Sequence, residues 1–178
     1  GQQVRSATTG LPILGGVRSV ARARSGAGWA ARLDSEVVVH DLSGERRLKT
    51  TAPGDRVILS PLGSHVACAG TQGVDVLSGS GVGASWSVPV VGPAALSERG
   101  DIAVATTNEE VAWRTPDGAV HRFSARPLSL RFDSGSLVVH TQDGRLRTWA
   151  PPHAELGAVR AEPTAVLHRV RGRVLQVL

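Results

Sequence analysis

Lysine is almost missing from this chain: Lys49 is the only one, and the formal charge of +5 rests on arginine. An arginine bias set among abundant Ala, Gly and Val reflects a GC-rich genome better than a selected nucleic-acid surface, so the basic balance is discounted as a sign of function. Tyrosine and methionine are absent, and four Trp and two Phe are the only aromatics. Flat platforms for stacking bases or sugars are therefore few, and a core has to be filled by aliphatic side chains. Cys68 stands alone. It excludes an intramolecular disulfide and, lying in an apolar run, is expected to pack as a small hydrophobe. No apolar run approaches the roughly 20 residues that a membrane-spanning helix needs, and no segment has convincing helical periodicity. The first residue is Gly1 rather than Met, so a signal peptide is neither seen nor excluded. We expect a cytoplasmic module that forms one domain of a longer protein.

What the chain does have is a period. Gly28, Gly63, Gly100, Gly135 and Gly172 recur at intervals of 35, 37, 35 and 37 residues, and each opens a short apolar run. The runs are Trp29–Leu33, His65–Ala69, Ile102–Ala105, Leu137–His140 and Val174–Leu178. A repeat of this length marks an architecture of stacked or ringed units. Continuing from Gly172 through the C-terminus and back to Gly28 covers 34 residues, which matches the other steps and suggests a ring of five units.

Each unit reads as four strands, a to d. Strand a ends at the glycine and strand b is the apolar run. A polar b–c turn follows, as in Thr71-Gln72-Gly73 or Thr141-Gln142-Asp143-Gly144, and then a β-branched or alternating strand c: Val37–Asp41, Val74–Leu77, Val111–Arg114 and Leu146–Trp149. Ser43-Gly44, Ser78-Gly79 and Asp117-Gly118 close strand c with hairpin chemistry. Strand d covers Arg46–Thr50, Ala84–Val88, Ala119–Phe123 and about Glu155–Val159. Pro53, Pro93, Pro127 and Pro163 mark the crossings to the next unit.

The fold expected from this pattern is all-β, a five-bladed β-propeller of four-stranded antiparallel blades forming a single domain over 1–178. Blades 1 to 4 are placed at about 17–50, 55–88, 93–124 and 127–160, and blade 5 at about 163–178 plus 1–15. In blade 5, Ala165–Val170 and Val174–Leu178 supply strands a and b, while Val4–Ser6 and Leu11–Leu14 supply c and d, with Gly15-Gly16 at the crossing. Closing the last blade with strands from both ends would remove open sheet edges. A larger ring, or blades completed between chains, is the alternative.

Gln142-Asp-Gly-Arg-Leu-Arg-Thr-Trp149 resembles the third strand of a WD-repeat blade, with Ala150 where the Asp of the WD pair would stand. Val74-Asp-Val-Leu-Ser-Gly79, followed by Trp86, is similar to the blade motif of quinoprotein-type propellers. The resemblance implies a protein-interaction scaffold or sensor module, of the kind appended to bacterial signalling or effector domains.

The residues give little chemistry. There is no nucleophile elbow, no His-x-His or Cys-x-x-Cys, and no Asp-rich calcium loop, so no catalytic residue, metal or other cofactor is expected. Gly79–Gly83 lacks the Lys-Ser/Thr of a phosphate cradle and reads as a c–d hairpin. His40 and His140 end Val-Val runs and read as structural. A glycosidase would need two carboxyl groups over a cleft; Glu109, Glu110, Asp55 and Asp101 are available, but the adjacent glutamates of one strand point to opposite faces. Arg22 with Arg24, Arg145 with Arg147, and Arg169, Arg171 and Arg173 share parities, and are expected on solvated outer faces.

Binding residues belong on loops held by the rigid framework. The expected partner-binding face comprises Arg18, Asp55, Arg56, Arg126, Arg160 and Glu162 near the d–a crossings and Gln72, Asn108 and Gln142 in the b–c turns. The expected partner is another protein, with a weak preference for an acidic one; nucleic acid and membrane are not expected, and the closed ring would be a monomer. The alternative, a lectin-like propeller binding glycans or small ligands between blades, calls for an aromatic at an equivalent position in each blade. The four Trp fall instead on strands b, d, c and c of successive blades.

Overall fold

The computed structural model describes residues 2–5, 12–26, 28–41, 43–50, 54–78, 81–107, 109–150, 154–160, 166–170 and 173–177. The chain opens with β1 (Gln2–Arg5) and β2 (Pro12–Val17), which pair antiparallel. The first four-stranded sheet follows as β3 (Ser19–Arg22), β4 (Trp29–Arg32), β5 (Glu36–Asp41) and β6 (Gly44–Lys49). The second is β7 (Arg56–Leu59), β8 (Val66–Gly70), β9 (Gly73–Ser78) and β10 (Gly81–Trp86). The third is β11 (Ala94–Leu96), β12 (Ile102–Ala105), β13 (Glu110–Arg114) and β14 (Val120–Ser124). The fourth is β15 (Pro127–Asp133), β16 (Ser136–Thr141), β17 (Arg145–Ala150) and β18 (Ala154–Arg160). The hairpin of β19 (Val166–Val170) and β20 (Arg173–Val177) ends the chain. Every pairing is antiparallel, and each sheet is an up-and-down meander in sequence order.

The centres of β5, β8, β12 and β13 are apolar on both faces because both faces are covered. On β8, Val66 and Cys68 pack against Ala30, Val37 and Val39 of the first sheet. The alternate residues Ala67 and Ala69 join Leu96, Ile102 and Val104 of the third. On β12, Ile102 and Val104 belong to that same cluster, while Ala103 packs with Leu137, Val139 and Trp149 of the fourth sheet. Alternating side chains thus serve two different neighbours, and the core lies between sheets rather than within one. Runs such as Val37-Val-Val follow from this double burial, which suppresses the simple in–out alternation of a half-buried strand. The first strands β3, β7, β11 and β15 contact one another in succession and form the inner side of the assembly.

The a–b turns show where the glycine period acts. Gly26, Gly63, Gly100 and Gly135 have φ of +75°, +89°, +88° and +82°, a left-handed conformation that disfavours a Cβ. Their spacing is 37, 37 and 35 residues. In the first sheet the turn residue is therefore Gly26, two positions before Gly28. Gly28 instead permits a close approach: a Cβ there would lie 2.8 Å from the His40 carbonyl oxygen. Gly44, expected in a turn, opens β6 opposite Asp41. Gly172 lies outside the described residues.

At the termini the strands fall close to the expected segments, but β2 runs through Gly15-Gly16 to Val17 instead of ending before them. Among the described residues β1–β2 and β19–β20 are separate two-stranded sheets, so a joined fifth four-stranded blade is not formed there. Val17 is buried against Ala31 and Val38, on the face of the first sheet turned away from the second. Cys68 is fully buried, as its apolar run implied. No helix among the described residues is long and apolar enough to cross a membrane.

Candidate interaction face

The d–a crossings and b–c turns lie at the same end of their strands and are stitched together by backbone bonds. Arg18 N–H donates to the Arg32 carbonyl at 2.8 Å, Val91 N–H to Ala105 at 3.0 Å and Gln142 N–H to Arg126 at 2.9 Å. Each crossing is thereby fixed to the end of strand b in the sheet it enters.

Arg18 is the centre of one charged cluster. Its Nε donates to Asp34 Oδ1 at 2.6 Å and its Nη1 to Asp55 Oδ1 at 2.7 Å, so one guanidinium joins the b–c turn of the first sheet to the crossing into the second. The hydrogen bond to Asp34, seconded by that to Asp55, raises the Arg18 pKa. Beneath it, Arg32 is buried, with Nε donating to the Gly54 carbonyl and Nη1 to the Glu36 carbonyl, both at 3.3 Å. Arg56 lies one residue beyond Asp55, on the same face of β7 as Ile58, and burial pushes its pKa down.

A second cluster surrounds a cleft of about 400 Å³ lined by Glu109, Ser124, Arg126, Thr141, Asp143 and Arg147. Arg126 pairs with Glu109 across the entrance to the fourth sheet. The Thr141 hydroxyl donates to Asp143, and this bond, opposed by desolvation, holds the Asp143 carboxyl below its ordinary pKa. Asp143 also faces Arg145 at 3.5 Å and Arg147 at 4.0 Å. Arg147 Nε is enclosed and has no hydrogen-bond partner among the described residues.

Of the residues expected on this face, the structure brings Arg18 together with Asp55, and Arg126 with Gln142 through the backbone. Gln72 and Gln142 are exposed at the tips of their turns, and Arg56 stands on an inner strand. Arg160 ends β18 opposite Arg145, with its side chain outside the described set. Asn108 and Glu162 lie outside the described residues altogether. Asp34, Glu109, Asp143 and Arg147 were not singled out for this face; they sit in or beside the b–c turns, and their role depends on which crossing arginine meets them. Three apolar side chains were also missed: Val20, Val91 and Leu128 are 51%, 56% and 54% exposed, each at the entry into a first strand.

The four carboxylates weighed for glycosidic chemistry are all engaged. Asp55 pairs with Arg18, Glu109 with Arg126 and Glu110 with Arg122, while the buried Asp101 accepts from Ser97 Oγ at 2.6 Å and Trp113 Nε1 at 3.4 Å. Trp113 and Trp149 are buried, and Trp29 stacks on His40 with ring centroids 5.6 Å apart. No cluster of His, Cys, Asp and Glu suited to a metal ion occurs among the described residues.

The arginine pairs Arg22/Arg24 and Arg145/Arg147 divide. Arg145 and Arg147 are on the third strand of the fourth sheet beside the cleft, but Arg22 and Arg24 are at the inner side, facing a cavity shared by four sheets rather than an outer face.

No protein-family model matches the chain, and no curated protein matches it in sequence. Solved structures match it in shape. KlHsv2 with loop 6CD replaced by a Gly-Ser linker superposes with a TM-score of 0.64 at 9% identity over 83% of this chain and 52% of its own. BBS1N in complex with ARL6DN gives 0.54 at 11% identity over 83% and 53%. The RRP9 WD40 repeats give 0.54 at 10% identity over 79% and 50%. The chain spans about half the length of these structures. Four successive antiparallel four-stranded sheets, joined first strand to first strand and packed face to face, together with these superpositions, give the chain the β-propeller fold of WD40-repeat proteins.

Proposed function

We propose that the chain is a non-catalytic protein-interaction module, one domain of a larger signalling or effector protein, that engages its partner through the crossing and turn face. The observation that carries this reading is the composition of that face: exposed Val20, Val91 and Leu128 lie near the crossings together with the Arg18 and Arg126 ion-pair clusters, the second of which lines a cleft. An apolar element rimmed by polar and arginine groups is the anatomy of a protein interface. The fold neighbour BBS1N was solved in complex with ARL6DN, which supports the analogy. The carboxylates on the face offset its arginines, so we assign it a partner of mixed charge rather than an acidic one. A lectin-like role would require a recurring exposed aromatic, whereas Trp113 and Trp149 are buried.

We further propose five blades, the fifth completed by the two terminal hairpins. Burial of Val17 against Ala31 and Val38 supports it, because β2 then covers the free face of the first sheet where a fifth blade would lie. Light scattering coupled to size exclusion tests closure: a monomer is expected, and a stable dimer would assign the completion of blades to a second chain.

Binding is tested with photo-crosslinking residues at Gln72, Gln142 and, at the opposite, c–d turn end of the outer strand β6, Glu45, in cells that make the protein. A common crosslinked protein from the two turn positions and none from Glu45 is expected. Equal crosslinking from all three would remove the turn face as the site.

A further inference from the structure

A cavity of about 370 Å³ opens where the first strands of the four sheets face one another. Its walls come from β3, β7, β11 and β15, and its floor is apolar, including Ile58, Leu96, Leu130 and Phe132. Three arginines enter it from opposite sides: Arg22 and Arg24 from β3 and the residues after it, and Arg131 from β15. No carboxylate among the described residues lines it.

Among the residues whose side chains are described, most of the other arginines have an acidic partner. Arg18, Arg46, Arg47, Arg99, Arg122, Arg126 and Arg145 each have an acidic partner. Among the described residues, Arg22, Arg24 and Arg131 take part in no ion pair and no side-chain hydrogen bond. Carboxylates line the adjoining cavity of about 440 Å³ at the a–b turn end, which Arg24 shares with Glu98 and Asp133. Glu98 is already committed there, accepting from the Leu62 N–H and the Ser64 hydroxyl. Three exposed arginines that line one cavity and have no ion pair among the described residues make its lining positive, and the apolar floor strengthens the attraction to any anion that enters. Guanidinium forks match the oxygen pairs of phosphate and carboxylate, and the volume is that of a small-ligand site.

We infer that the cavity between the inner strands is a binding site for a small polyanion carrying two or more phosphate or carboxylate groups, held by Arg22, Arg24 and Arg131. Entry of such a ligand supplies the counter-charge that the inner strands lack. The inference stands apart from the crossing and turn face: a different set of side chains lines it, and either site functions without the other.

Isothermal titration of the intact chain with inorganic tripolyphosphate and, separately, with citrate tests the site. Saturable one-to-one binding of at least one probe is expected, weakening with added salt. Binding of tripolyphosphate alone assigns the site to phosphates; binding of citrate, alone or in addition, extends it to carboxylates. The double variant Arg22→Gln with Arg131→Gln should weaken binding at least about tenfold. The double variant Arg46→Gln with Arg47→Gln removes the same charge from β6 and should change it by less than about twofold. No saturable binding of either probe to the wild-type chain, or equal loss in both double variants, would overturn the inference.

Discussion

Cys68 lies opposite Asp75 in the pairing of β8 with β9, fully buried beneath the first sheet. Burial pushes its thiol up to about 11, with the charge of Arg32 opposing the rise and that of Asp75 adding to it. A thiol two units above the ordinary range has about 100-fold less thiolate near neutral pH, and thiolate is the reacting species. Cys68 should therefore stay unlabelled by a thiol-reactive disulfide reagent in buffer and react at once in denaturant; prompt labelling of the native protein would contradict the packing described. Arg32 is the polar counterpart in the same region. Its guanidinium fills a buried space and serves the carbonyls of Gly54 and Glu36, so Arg32→Met leaves buried acceptors short of a donor. A loss of roughly 2–3 kcal/mol is expected, seen as a drop of about 5–10 °C in Tm for a chain of this size.

Among the elements, the crossings carry the tightest backbone approaches. A Cβ on Gly54 would sit 2.3 Å from the carbonyl carbon and 2.5 Å from the carbonyl oxygen of Ala69, so Gly54→Ala requires β7 and β8 to separate. Denaturant titration should show a loss of about 3 kcal/mol for Gly54→Ala. Gly144→Ala has open space around the new Cβ, keeps a φ of +74°, and should lose only about 1 kcal/mol. Similar losses for the two would mean that turn conformation, not close approach, limits the fold. The strands themselves were legible in sequence because double-faced burial writes apolar runs between turn signals. The b strand Ile102–Ala105 falls where it was read. The turn residue of the first sheet was not legible, since Gly26 and Gly28 both fit a period of about 36 and only φ separates them. Parity put Arg22 and Arg24 on one face of their strand, but a strand pattern does not say whether that face looks outward or toward the neighbouring inner strands. The charged face was half legible: the crossing arginines could be named, whereas their partners Asp34 and Glu109 depend on how one sheet sits on the next.

For the whole molecule, acid should be more damaging than base. Glu98 ties the a–b turn of the third sheet to that of the second through Leu62 and Ser64, and the His65 ring meets its carbonyl at 3.1 Å. Burial pushes the Glu98 carboxyl up, but the Leu62 N–H and the Ser64 hydroxyl outweigh it and hold it below its ordinary value. Glu110 is lowered by the Thr106 hydroxyl, and Asp117 by the Thr115 hydroxyl. A carboxyl whose folded pKa lies below its unfolded value contributes stability that is complete above the unfolded pKa. That contribution is lost as pH falls through the folded value. The expected midpoint for thermal unfolding is thus little affected by carboxylates above about pH 5 and declines below about pH 4. Protonation also strips the arginines of their partners, so the positive charge repels itself as the carboxylates are lost. Glu98→Gln separates the turn contact from this general effect: it should lower stability at neutral pH by about 1 kcal/mol and make the decline in acid shallower than in the parent. A variant with the parent's full acid slope would show that the contact between successive a–b turns does not carry the pH dependence.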